Sequence, residues 1–132
     1  MKYLLDTDIC IYIIKQHPQN VIKKFKSISL GDIGMSSITL AELLYGVEKS
    51  QQQQKNKAAL EEFTLPLEIV SFDDCAAQHY SVIRAQLERK GMPIGPLDLR
   101  IAAHAQCLDV TLVTNNVKEF SRVPKLKIEN WV

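Results

Sequence analysis

Asp6 and Asp8 stand two residues apart in "YLLDTDIC", at the end of a short apolar run. A carboxylate where a buried strand ends needs a cation or a set of donors, because burying an unpaired charge is costly. Three more segments carry groups of the same kind: Glu42 in "TLAELLYG", Asp98 in "PLDLRIAAHA", and Asn115 and Asn116 in "VTNNVKEF". If these segments converge, carboxylates a few ångströms apart repel and raise one another's pKa values. A divalent cation reverses that penalty. Mg²⁺ and Mn²⁺ take oxygen ligands and keep several waters, so a sparse acidic cluster suits them. The chemistry on offer is activation of water for attack on a phosphoryl group.

Each residue also has a local reading. Asp8 can cap the helix that follows it, and Glu42 stands three residues after Thr39, the spacing of a capping box. Asp98, two residues after Pro96, complements a helix N-terminus. Asp6 has no such simple role. An Asp-x-Asp after a first strand is also the nucleophile motif of haloacid-dehalogenase-like phosphatases. That motif continues to Thr or Ser at its fifth position, where this chain has Cys10, and no late acidic pair accompanies it. There is no G-x-S-x-G elbow, P-loop or G-x-G-x-x-G. His17, His79 and His104 stand alone, and no two of Cys10, Cys75 and Cys107 have the spacing of a zinc site. Cys10 and Cys107 sit among apolar residues and read as buried thiols of a reducing cytosol.

The carboxylates need elements to hold them. "KYLL" (2–5), "IGMSS" (33–37), "LEIVSF" (67–72), "VTLVT" (110–114) and "LKIENWV" (126–132) read as strands. Helices are expected over "DICIYIIKQ", "VIKKFKSISL" up to Gly31, "TLAELLYGVEKS", "AALEEFTLP" up to Pro66, 73–91, and the segment opening at Pro96. "KSQQQQKNK" (49–57) reads as an exposed tip between two helices, and "NNVKEFSRV" as a turn and short helix. Alternating strands and helices imply an α/β domain with a mostly parallel central sheet, whose ligands lie beyond the carboxyl ends of its strands. Asp6, Glu42, Asp98 and the Asn pair all fall at that edge.

With 132 residues, the chain is expected to form one domain over 1–132. A net charge of +1 excludes the broad basic excess of a non-specific nucleic-acid binder but allows local patches. Candidates are Lys23, Lys24 and Lys26; Arg84, Arg89 and Lys90; and Lys118, Arg122, Lys125 and Lys127. The start does not read as a signal peptide, and no apolar run approaches the roughly 18–20 residues that span a bilayer. A cytoplasmic protein without membrane contact is the expectation.

Four motifs in register identify a resemblance. "LLDTDICIYIIK", "SSITLAELLYGVEKS", "GMPIGPLDLRIAAHA" and "LVTNNVKEFSRVPKLKIENW" together resemble the PIN-domain ribonucleases, and closely the VapC toxins of type II toxin–antitoxin pairs. The resemblance covers nearly the whole chain. It implies a three-layer PIN-like domain with a parallel five-stranded sheet and metal-dependent endonucleolytic cleavage of RNA, often a structured RNA such as tRNA. It implies Asp6, Glu42 and Asp98 as catalytic ligands of Mg²⁺ or Mn²⁺, with Asp8 orienting them. The products would carry 5′-phosphate and 3′-hydroxyl ends. Many members have a fourth acidic residue in a Thr-x-Asp segment. Here Thr114 is followed by Asn115 and Asn116, so Asn116 takes that place and supplies no charge. It could still ligate or hold a water through its carbonyl, and Glu119 could turn inward as the fourth carboxylate. One firmly held ion, with a second completed by substrate phosphate, is the resulting expectation. Also implied are a homodimer and a VapB-type antitoxin that lays a segment across the acidic cleft, with "KSQQQQKNK" near the gripping surface. A non-catalytic PIN-like binding module is the rival, and loss of the acidic residues would mark it.

Overall fold

Leu4 and Leu5 are both fully buried, yet they pack into different cores. That is the period of two in a strand covered on both faces. In the computed structural model, which describes residues 1–132, this strand is β1 (Tyr3–Leu5), the middle of a five-stranded sheet. The others are β2 (Ile33–Ser36), β3 (Glu68–Val70), β4 (Thr111–Val113) and β5 (Ile128–Glu129). Their order is β3-β2-β1-β4-β5, and every pairing is parallel. Gly34 in β2 is needed for close approach: a Cβ there would lie 2.8 Å from the Glu68 carbonyl oxygen in the neighbouring strand.

Helices α1 (Thr7–Lys15), α2 (Gln19–Lys26), α3 (Ser37–Glu48) and α4 (Gln53–Thr64) cover one face. Ile9, Ile13, Val21, Leu43 and Leu60 pack there on Leu5, Ile33, Met35 and Val113. Helices α5 (Asp74–Arg89), α6 (Pro96–Leu108) and α7 (Val117–Phe120) cover the other. Ile83, Leu87, Leu99, Ala102 and Phe120 close that core on Leu4 and Leu112. This is the three-layer arrangement the sequence implies, with the sheet wholly parallel. The chain leaves β1 toward β2 and returns, after β3, to β4 on the other side of β1. The direction of winding therefore switches beside β1, where open parallel sheets bind their ligands.

Four local expectations are corrected. The N-cap of α1 is Asp6, not Asp8: the Asp6 side chain accepts the Thr7 N–H, and Asp8 lies inside the first turn. The capping box at Thr39 and Glu42 does not form. Helix α3 starts at Ser37 and is capped by Ser36, whose hydroxyl accepts the Ile38 N–H, so Glu42 falls in the second turn. The tip at 49–57 is shorter than expected, because α4 begins at Gln53. Gln and Lys are good helix formers, and they extend the helix backward from its apolar part. Likewise α2 stops at Lys26, and a single 3-10 turn at Leu30–Asp32 leads into β2.

Candidate active site

A cavity of about 340 Å³ opens where β1 and β4 end, lined by Asp6, Asp8, Ile38, Glu42, Asp98 and Asn116 among others. Four elements deliver these groups. Asp6 is brought by the end of β1, Glu42 by α3, Asp98 by the first turn of α6, and Asn116 by the turn entering α7. The three carboxylates expected at one sheet edge all line this cavity.

Asp6 is the most buried of them, at 7% exposure. Its Oδ1 accepts the Thr7 N–H at 2.8 Å and its Oδ2 the Thr114 hydroxyl at 2.7 Å. Burial still raises its pKa, with those two bonds opposing the rise and Glu119 adding to it. Thr114 is fully buried, and its Oγ1 also accepts the Asn116 N–H at 3.0 Å. One hydroxyl thus ties the β4 turn to Asp6. Asp8 accepts the N–H groups of Ile9 (2.7 Å) and Asn115 (3.2 Å), which stitches α1 to the same turn. Burial and the Asp6 charge raise Asp8 to about 6.

Asp98 is pushed up to about 7, by burial first and then by the charges of Asp6 and Glu119. Glu119 turns inward, as the sequence allowed. Its Oε1 accepts the Gly95 N–H at 2.5 Å and its Oε2 the Asn116 amide at 2.9 Å. The Gly95 bond above all holds Glu119 below the usual carboxylate range. Asn116 does not present its carbonyl in the expected way. Its Nδ2 donates to Asp98 Oδ2 at 3.1 Å as well as to Glu119, bridging two carboxylates. Glu42 is half-buried at the mouth and makes no hydrogen bond.

None of the protein's salt bridges involves these acids. Asp6, Asp8 and Asp98, oxygen donors with raised pKa values and no ion pair to lysine or arginine, have the donor chemistry of a hard divalent cation. Cys10, at the fifth position of the Asp-x-Asp motif, is buried in the α1 core and presents no group to the cleft.

The profile of the PIN domain matches residues 3–126. Over 131 residues the chain is 44% identical to the tRNA(fMet)-specific endonuclease VapC of Shigella flexneri, covering 99% of this chain and 98% of that protein. It is 46% identical over 132 residues to ribonuclease VapC2 of Rickettsia felis, covering 99% and 98% of the two chains. The chain belongs to the PIN-domain family, among the VapC ribonucleases. The fold agrees. The toxin chain of DNA-bound VapBC from Salmonella typhimurium superposes with a TM-score of 0.95 at 44% identity, over 100% of this chain and 99% of that one. VapBC2 of Rickettsia felis, bound to a DNA fragment from its promoter, gives 0.92 at 44% identity over the full length of both. PIN nucleases are metal-dependent, in keeping with the acidic PIN cleft.

A second cavity of about 310 Å³ shares Ile11 and Glu42 with the first and runs between α1, α3 and α4 along Ile14, Leu43, Val47 and Leu60. Of the basic candidates near the chain's end, Arg122 donates to the Pro93 carbonyl, Lys127 pairs with Asp109 at the end of α6 away from the cleft, and Lys118 and Lys125 are exposed without an ion pair. No helix is long and apolar enough to cross a membrane.

Proposed function

We propose that this chain is the toxin of a type II toxin–antitoxin pair and cuts RNA with Asp6, Glu42 and Asp98 as the ligands of Mg²⁺, with Mn²⁺ able to replace it. The observation that carries this reading is the convergence of the three carboxylates, from three elements, with no cation among them. When bound there, the ion supplies charge neutralisation and Lewis acidity toward a phosphodiester and its attacking water. The chain's own residues prepare the place. Thr114 and the Thr7 N–H fix both oxygens of Asp6, so its position is set before any ion arrives. Asp8 locks the β4 turn by accepting the Asn115 N–H. Asn116 bridges Asp98 and Glu119 with one amide nitrogen, and Glu119, anchored on Gly95, supplies the fourth acidic group that the chain lacks at position 116. Lys118, two residues after Asn116, provides local attraction for phosphates, in a chain whose net charge of +1 gives little at long range.

The substrate we infer is a structured RNA, with tRNA first, since the Shigella relative is a tRNA(fMet)-specific endonuclease. The partner is a VapB-type antitoxin, since the Salmonella and Rickettsia neighbours are VapBC complexes. A segment of it lying along the α1–α3–α4 groove reaches Glu42 and the cleft, where an Arg or Lys competes for the carboxylates. The working unit is a cytoplasmic homodimer. The test is incubation of purified protein with a tRNA panel, in Mg²⁺ or in chelator, for the wild type, Asp6→Asn and Asp98→Ala. Cleavage confined to the wild type in Mg²⁺, with 5′-phosphate and 3′-hydroxyl ends, is expected. Equal cleavage by all three proteins would overturn the reading.

A further inference from the structure

Away from the acidic cleft, Cys75, His79 and Cys107 come together where the first turns of α5 meet the last turn of α6. Cys75 and His79 are one helical turn apart, so their side chains share a face of α5. Cys107 arrives from α6, which packs along α5. One ligand atom from each residue lies within 4.8 Å of the other two. Cys75 Sγ and His79 Nδ1 are 3.8 Å apart. A tetrahedral zinc site with Zn–S of about 2.3 Å and Zn–N of about 2.0 Å has ligand–ligand edges of roughly 3.5–3.8 Å. The three atoms therefore need to close by about 1 Å at most, which side-chain torsions supply.

We propose that Cys75, His79 and Cys107 form a binding site for a soft divalent metal ion of the Zn²⁺ type, separate from the hard-cation cleft and clamping α5 to α6. Two thiols and an imidazole select borderline-soft ions, as carboxylates select Mg²⁺. The negative charge of Asp73, which caps α5, lies near Cys107 and favours a cation there. Binding releases the two thiol protons. It also exchanges one contact: His79 Nδ1 now lies 3.0 Å from the Cys75 carbonyl, and as a ligand it turns its lone pair to the metal while the ring proton resides on Nε2. Three protein ligands leave the fourth position to water. The exposure of Cys75 gives the ion an open path.

The test uses the full-length protein, reduced and stripped of metal. Titration with Co²⁺ should give one equivalent of tetrahedral binding with sulfur-to-cobalt charge-transfer absorption, displaced by Zn²⁺. Cys75→Ser and Cys107→Ser, each checked for native circular dichroism, should roughly halve the sulfur absorption per bound cobalt and weaken Zn²⁺ binding by roughly 100-fold or more. His79→Ala should weaken it while keeping the sulfur signature. Asp6→Asn should retain the complete spectrum, because the cleft is not involved. A cobalt complex without sulfur absorption would overturn the proposal, as would one whose spectrum and affinity are unchanged by Cys107→Ser. So would thiol counting that finds Cys75 and Cys107 joined as a disulfide in the freshly purified protein.

Discussion

Helix α6 carries both kinds of site. Asp98 stands in its first turn and Cys107 in its last, about 13 Å apart along the axis at ~1.5 Å per residue. The two ends differ in how they are held. The acidic end is over-determined: Thr114, Asn116 and the N–H groups of Thr7, Gly95 and Asn115 place its oxygens before any ion binds. The sulfur end has few such supports. Its groups meet through helix packing, and burial with the adjacent Cys75 pushes Cys107 to about 12. Preorganisation of this sort belongs to a site that must orient a reaction, whereas a clamp needs only proximity.

The largest effect expected from dismantling the acidic end is on cleavage. Asp6→Asn and Asp98→Ala should each lower single-turnover cleavage of a tRNA substrate by roughly 1000-fold or more, the several kcal/mol that metal-assisted charge stabilisation supplies. Circular dichroism should stay native, which separates chemistry from unfolding. Glu119→Gln can keep the Gly95 contact through its carbonyl but sets an amide donor against the Asn116 amide and removes the charge, and a fall of about 10- to 100-fold is expected. Wild-type cleavage by that variant would remove Glu119 from the acidic set. Thr114→Val leaves Asp6 Oδ2 without its donor. Cleavage should fall by about 10-fold, and the acidic limb of its pH profile should move to higher pH, since the lost bond was lowering the Asp6 pKa.

A smaller effect is expected on stability, with a definite sign. Asp8 and Asp98 are raised to about 6 and about 7 in the folded chain, above the roughly 4 of an unfolded aspartate. The folded state therefore holds more protons between those values. The stabilising contribution is complete below pH ~4 and is lost as pH rises through 6 and 7. In chelator, these two groups should make the protein melt lower at pH 8 than at pH 5, and Asp98→Asn should reduce that difference. Mg²⁺ should raise the melting temperature more at pH 8 than at pH 5, because it neutralises charges that are absent at the lower pH.

Much of this was legible in the sequence, and the failures have physical causes. Short apolar runs bounded by turn residues located all five strands, and the motifs placed Asp6, Glu42 and Asp98 at one sheet edge. The local reasons given for Asp8 and Glu42 were wrong, although both residues do line the cleft. Capping depends on where the first helical residue falls, and the backbone set that two or three positions away, at Asp6 and Ser36. The inward turn of Glu119 was readable from its spacing to Asn116. The bridge that Asn116 makes was not, since which end of an amide faces a carboxylate depends on neighbours brought by α6. The meeting of Cys75, His79 and Cys107 left only a faint trace, the one-turn spacing of the first two. The third comes from a helix far along the chain, and Cys107, expected to be buried, is half-exposed beside Cys75. His104 behaved as a packed histidine: it is fully buried, with Nδ1 2.8 Å from the Ser36 hydroxyl.

Calorimetric titration with Mn²⁺ at pH 8 addresses the central claim most directly, because it reads the acidic end of α6 without relying on the choice of RNA. The wild type should bind Mn²⁺, Asp98→Asn should bind it at least about 10-fold more weakly, and Cys107→Ser should match the wild type. Wild-type affinity in Asp98→Asn would contradict the assignment of the cleft as the hard-cation site.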